Sequence, residues 1–344
     1  MIFFSEIEID QLIIHSVGNK LKGDSILLSD STVVLGSEIE DTLLKYFITP
    51  FKSSEYFNFA DIENNEMYAS IKQIFSDASN FITESKKIAT RLFDEIRNPK
   101  IPGGNLFIVL FRKCIIGEMV TDAIGIFKSD VTETFLKIKP SNERFVINRE
   151  AGINITKMTK ACLIFNYEED DGYLISLIDK RSKNEEISYW SDNFLDITQR
   201  EDEYFQTKNT MGCVESFVMN ELPENFDIAK SDQVDLLNKT LNYFNSKDNF
   251  LLDKFADEVF ENEELIENFN RFKAHYEDDN DIEILEEFVI NKPAVKKQTK
   301  TLKSIIKLDD KFDIIIHKDK ENLIRGKDDA TGLNYYQLFF NSET

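Results

Sequence analysis

The amino-acid sequence predicts an α+β fold: an N-terminal mixed domain with an antiparallel sheet and helices, then a helical region and a small C-terminal β-unit. Three observations predict it. Up to Ile96 the longer apolar patterns keep helical spacing, and after Pro102 they change to short strand-like runs separated by polar breaks. From about residue 192 the helical spacing returns, now on an acidic background. After Asn291 the chain turns lysine-rich and then alternates again. These shifts divide it into 1–190, an α+β domain; 191–290, an acidic helical region; and 291–344, a Lys-rich segment with the C-terminal β-unit.

The elements follow in order. Ile7–Ile9, Leu12–Ile14 and Ile26–Leu28 are apolar runs punctuated by Asn19 and Gly23–Asp24, which predicts two or three strands joined by tight turns. Ser37 followed by Glu40 matches a capping box, and Ile39, Leu43, Leu44, Phe47 and Phe51 recur behind it at helical spacing. Two more helices are expected over 64–76 and 78–97, the second carrying Phe81, Ile88, Leu92 and Ile96 on one stripe and stopped by Pro99 and Pro102. The run LFIVLF (106–111), a turn at Arg112-Lys113 and CIIGEMVTDAIGIF then open a meander. It continues through Phe135–Ile138, Arg144–Ile147, Ala161–Phe165, Tyr173–Ile178 and Glu186–Trp190. Farther on, Met211, Val214, Phe217, Val218 and Leu222 mark a helical stripe, Val234, Leu237, Leu241 and Phe244 a second, and Phe255, Val259, Leu265, Ile266, Phe269 and Phe272 a third. Phe312–His317, Leu323–Ile324 and Tyr335–Phe340 form the closing β-unit, with Gly326 and Gly332 at turns.

Composition narrows the function classes. The net charge of −22 repels phosphate backbones wherever it is spread evenly, so nucleic-acid binding requires a local basic surface. No apolar run is long enough for a membrane span, and MIFFSEIEID meets Glu6, Glu8 and Asp10 instead of a basic n-region, so neither a membrane nor a secretory signal is expected. Cys114, Cys162 and Cys213 are far apart and odd in number, which reads as buried thiols in a reducing compartment.

Searching for chemistry yields no phosphate-binding glycine loop, nucleophile elbow, HExxH or CxxC, so no catalytic residue, metal ligand or cofactor is expected. His15, His275 and His317 are widely separated; His15 reads as a structural histidine in an apolar strand and His275 as solvent-exposed beside an acidic loop. That loop, 277–287, fails the calcium-loop template because Ile284 or Glu283 stands where glycine is needed. Glu118 and Asp122 are the carboxylates that follow a strand-like run, as a metal-dependent nuclease would require, but no ligand spacing singles them out. The best physical candidate is NKPAVKKQTKTLKSIIK, which holds Lys292, Lys296, Lys297, Lys300, Lys303 and Lys307 and no acid. It is either a DNA-phosphate contact or an internal counterweight to the acidic helices just upstream, where 253–287 carries 14 Asp or Glu against Lys254, Arg271 and Lys273.

The arrangement also resembles the bacterial nucleoid-associated (NdpA-like) family. The likeness is carried by LIIHSV (12–17), LLSDSTVVLGSEIEDTLLKYF leading into the first helix, the Phe-rich linker FKSSEYFNFAD (51–61), RLFDEI (91–96) before GGNLFIVLFR, INITKMTKACLIFN (153–166) and YFQTKNTMGCVESFV (204–218). It spans essentially the whole chain. The resemblance implies a cytoplasmic protein of the nucleoid, a homodimer, associating with DNA or with DNA-bound machinery, and it carries over no catalytic residue. Three functions follow as expectations: a non-catalytic nucleoid protein binding DNA non-specifically, an acidic module reaching the nucleoid through a basic DNA-processing protein, and a metal-dependent nuclease of a defence-type system.

Overall fold

The computed structural model describes residues 2–130, 132–142, 144–180, 189–300, 305–309, 311–315, 323–328, 330–340 and 342. The chain forms two compact units, Met1–Arg200 and Glu201–Thr344. The architecture is α+β, as the patterning predicts.

The first unit is built on β1 (Ile2–Phe3), β2 (Glu8–Val17), β3 (Ile26–Leu27), α1 (Ser37–Ile48), β4 (Tyr56–Phe59), α2 (Glu66–Ser76), α3 (Phe81–Glu95), β5 (Gly104–Ile116), β6 (Met119–Ser129), β7 (Thr132–Ser141), β8 (Arg144–Ile153), β9 (Lys160–Phe165), β10 (Leu174–Asp179) and β11 (Ile197–Gln199). One nine-stranded sheet runs in the order β11-β4-β10-β9-β6-β5-β2-β3, with β1 on the far end of β5, and its pairings are antiparallel. Both faces are covered, which is why β5, β6 and β9 read as nearly continuous apolar runs. On one face Ile13, Leu106, Ile108, Ile124, Ile126, Cys162 and Ile164 meet Ile71, Ile88 and Leu92 of α2 and α3 and a π-helical turn, Tyr189–Leu195, that inserts Trp190 and Phe194. On the other, Phe107, Val109, Phe111, Phe127 and Leu163 meet Tyr46 and Phe47 of α1, with Phe47 stacked on Phe127 at 4.2 Å.

Several local expectations are corrected. The capping residue of α1 is Gly36, and Ser37 is already helical with no side-chain cap. Arg112 and Lys113 do not turn the chain: they lie inside β5 at a bulge, where Lys113 takes φ 60°, and the turn comes at Gly117 with φ 61°. Both charges have partners there, Arg112 with Asp10 and Asp122 and Lys113 with Glu8, so a polar pair that reads as a hairpin tip is a bulge within an interior strand, held by ion pairs to the strands on either side. Tyr56–Phe59 is a sheet strand, not part of a linker. Of the strand expected over 186–190, Tyr189 and Trp190 are in the π-helical turn and the rest lies outside the described residues. Ile197–Gln199 adds an edge strand before the helices begin at Glu203.

The second unit comprises α4 (Glu203–Ser216), a π-helical turn (Phe217–Glu221), α5 (Leu222–Asn225), α6 (Lys230–Ser246), β12 (Asn249–Leu251), α7 (Leu252–Phe260), α8 (Glu263–Asn280), β13 (Glu287–Val289), α9 (Lys292–Thr299), β14 (Ile305–Leu308), β15 (Phe312–Ile315), β16 (Leu323–Lys327) and β17 (Asn334–Leu338). The third apolar stripe is split between two helices, because Glu261 takes φ 56° and ends α7. Asp202, Asn262 and Asn291 supply side-chain caps to α4, α8 and α9. The core is aromatic: Phe217, Phe244, Phe250, Phe255, Phe260, Phe269 and Phe288 pack together, with Phe250 and Phe288 stacked at 4.7 Å. The strands form separate two-stranded sheets, β12 with β13 across the α7–α8 connection, β14 with β15 and β16 with β17.

Candidate functional site

The lysine-rich segment begins as helix α9. Asn291 caps it by accepting from the Ala294 N–H at 3.1 Å, and its own N–H donates to Thr207 Oγ1 of α4 at 2.9 Å. Pro293 sits in the first turn, where a missing N–H costs nothing. Ala294 and Val295 are buried and seat the helix within the second unit. The lysines are thereby left on the other faces.

They do not behave alike. Lys292 turns inward: its Nζ donates to the Phe244 and Asn245 carbonyls at 3.0 and 3.1 Å and to that of Lys247, closing the C-terminus of α6. That is a favourable place for a cation, facing unsatisfied carbonyls and the negative end of the helix dipole. Lys296, Lys297 and Lys300 are exposed, and Lys297 reaches over the Tyr204 ring at 5.6 Å. Lys303 lies outside the described residues, and Lys307 is described only as backbone in β14. The segment thus brings three exposed lysines together at one end of α9, while a fourth fastens the helix to its neighbour.

A second concentration of charge was not singled out in the sequence. Lys128 and Lys160 are register partners across β6 and β9, and both are buried. Lys128 Nζ donates to the Pro102 carbonyl and to Asp130 Oδ2, each at 2.9 Å. Lys160 pairs with Asp179, lies 5.1 Å over the Tyr189 ring, and Asp179 also accepts from Ser191 Oγ at 3.3 Å. A cavity of about 240 Å³ beside them is lined by Ser53, Glu55, Phe57, Leu177, Asp179 and Ser191. Each lysine faces a carboxylate, so both buried charges are compensated, and loss of either carboxylate would leave an unpaired buried ammonium. The signal available in the sequence was a single lysine ending each of the apolar runs IGIFK and KACLIF.

The other candidates separate. Asp122 is engaged by Arg112, while Glu118 is exposed in the β5–β6 turn. In the acidic loop, Glu277 Oε1 accepts from Lys273 Nζ at 2.8 Å and from the Ile284 N–H at 2.7 Å, which ties the loop to the end of α8. His15 is the structural histidine expected: its Nδ1 accepts from the Ser29 N–H and its Nε2 lies against Ser85 Oγ, both at 3.1 Å. Burial, with Lys86 nearby, lowers its pKa from 6.5 to about 4. His275 is exposed, and His317 lies outside the described residues. The three cysteines are buried free thiols, and burial raises Cys114 and Cys213 to about 12 and Cys162 further still. No helix among the described residues is long and apolar enough to cross a membrane.

Comparison with curated proteins gives no match. A model of the nucleoid-associated protein YejK family matches residues 13–331, which takes in most of the sheet, both helical regions and α9. The likeness read from LIIHSV, RLFDEI and the runs that follow them is therefore borne out, and the chain belongs to the nucleoid-associated protein YejK family.

Proposed function

We propose that this nucleoid-associated chain contacts DNA phosphates directly, without sequence preference and without catalysis. The observation that carries this reading is the acid-free stretch 288–308, in which Lys296 and Lys297 of α9 and Lys300 at its C-terminal end are exposed to solvent. The net charge of −22 does not forbid the contact. Exposed charges are screened beyond about 8 Å at physiological salt, so a phosphate held against these ammonium groups feels mainly them. Binding of this kind releases counterions and weakens as salt rises, and lysines arranged as point charges favour backbone contact over base reading. Lys303 and Lys307 continue the same stretch and are assigned to the same contact.

The test is the salt dependence of DNA affinity in a chain carrying Lys296→Gln, Lys297→Gln and Lys300→Gln. If each of the three lysines meets a phosphate, the slope of log affinity against log salt becomes shallower by about 2–3. An unchanged slope removes these residues from the interface.

A second reading is favoured by the surface of α7 and α8. Asp253, Asp257, Glu258, Glu261, Glu263, Glu264 and Glu267 are all exposed on these two helices or between them, which suits a basic DNA-processing protein as partner. Capture of such a protein that survives complete nuclease digestion, by a chain that does not bind purified DNA, would establish this reading over the first.

A further inference from the structure

β7 and β8 form a hairpin that stands apart from the nine-stranded sheet. Apart from a few residues near its base, it is exposed along its whole length. A two-stranded hairpin is at best marginally stable alone in water and needs a covered apolar face. This one has such a face. The register pairs Thr132 with Ile153, Thr134 with Ala151, Leu136 with Arg149, Ile138 with Ile147 and Pro140 with Phe145. Alternation puts those ten side chains on one side. Leu136, Ile138, Phe145 and Ile147 there are 68%, 61%, 74% and 61% exposed. The opposite side carries Glu133, Lys137, Lys139, Arg144 and Glu150, with Phe135 and Val146 among them less exposed, at 47% and 38%.

We propose that this apolar face is a self-association surface, covered by the same face of a second copy of the chain. Three observations select that occupant. The first is charge. Residues 132–153 hold four basic side chains (Lys137, Lys139, Arg144, Arg149) and three acidic ones (Glu133, Glu143, Glu150), a net of +1, so the remainder of the −22 chain carries −23. Two copies repel one another over most of their surface, and this hairpin is where they approach without that cost. Arg149, the one charged side chain on the apolar face, directs its guanidinium to Thr134 Oγ1 at 3.4 Å. The second is shape. Bulk is least in the row of Thr134 and Ala151 near the base and larger in every row from there to the tip, Leu136 with Arg149, Ile138 with Ile147 and Pro140 with Phe145. A two-fold axis that runs the hairpins in opposite directions sets the tip of one protomer over the base of its partner, a self-complementary, closed contact. The third is area. Strands of ten residues give a face about 34 Å long and about 10 Å wide, and with side-chain relief two such faces bury on the order of 1,000 Å², the scale of a specific interface.

This inference is independent of the DNA reading, and its test contains no DNA. Sedimentation of the full chain at tens of micromolar is compared with a variant carrying Ile138→Lys and Ile147→Glu. The opposed charges keep the cross-strand pair favourable within the hairpin but would be buried in the interface. Wild type is expected at twice the 40.0 kDa chain mass and the variant at the chain mass, with unchanged circular dichroism. Lys137→Ser with Lys139→Ser, on the opposite side, is expected to remain paired. A monomeric wild type, or a folded double variant that stays dimeric, overturns the proposal. Should the double variant misfold, Ile147→Cys with a bismaleimide decides. The native thiols are buried, so cross-linked pairs support the hairpin contact, and none overturns it.

Discussion

At the scale of single residues, His15 shows how burial turns a titratable group into a pH sensor of stability. The Ser29 N–H occupies Nδ1, so the neutral ring carries its proton on Nε2, beside Ser85. Ser85 Oγ donates onward to the Ile82 carbonyl at 2.8 Å, which leaves its lone pairs for the histidine. A second proton would have to displace the Ser29 N–H. The folded pKa of about 4 lies below the unfolded 6.5, so the stabilisation is complete above pH 6.5 and is lost as pH falls toward 4. Between pH 7 and pH 5 the loss at this site amounts to about 2 kcal/mol. Denaturant unfolding of wild type and His15→Gln is expected to show a gap that narrows by that amount on acidification. A constant gap would contradict the account. This histidine was legible as structural because an apolar strand surrounds it in sequence. The inward turn of Lys292 was not legible, since nothing local distinguishes it from Lys296 and its acceptors are more than forty residues upstream.

Among the elements, the join between α1 and the sheet is set by one glycine. A Cβ on Gly125 would stand 2.4 Å from the Phe127 ring and 2.7 Å from that of Phe111. Neither ring is free to swing away, because Phe47 of α1 is stacked on Phe127 and meets Phe111 edge-on at 6.4 Å. Gly125→Ala is expected to destabilise the first unit by about 1–3 kcal/mol through overpacking, read as a lowered denaturation midpoint with an unchanged slope. No change would mean that α1 is held more loosely than the stacking implies. Periodicity made most strands and helices visible in advance, because two covered sheet faces and an aromatic helical core both leave regular apolar patterns. It failed where geometry is locally irregular. The β5 bulge disguised two charged residues as a turn, the Tyr189–Leu195 π-turn disguised aromatic residues as a strand, and a four-residue edge strand passed for a linker. For β7 and β8 the strands themselves were readable, but their separation from the main sheet is a tertiary fact that no run of residues encodes.

For the whole molecule, an acidic chain that belongs to a nucleoid-associated family must reconcile repulsion with attachment. The proposed solution is segregation of charge. Acids crowd α7 and α8, six lysines fall in the acid-free stretch around α9, and a nearly neutral hairpin is left for a second copy. Pairing would set two lysine strips on one particle and raise their combined avidity well above that of either alone. It follows that the interface-poisoned hairpin variant should bind long duplex DNA more weakly than wild type while keeping the same affinity for a duplex too short to engage two strips. The central claim is that the attachment is direct. Its sharpest test is fluorescence anisotropy of a labelled duplex titrated with purified full-length chain, without metal, at about 50 and 200 mM salt. Direct phosphate contact through three or more lysines predicts binding at the lower salt that weakens at least tenfold at the higher. No binding at the lower salt, with the chain folded, would contradict direct contact and make the acidic helices the link to the nucleoid.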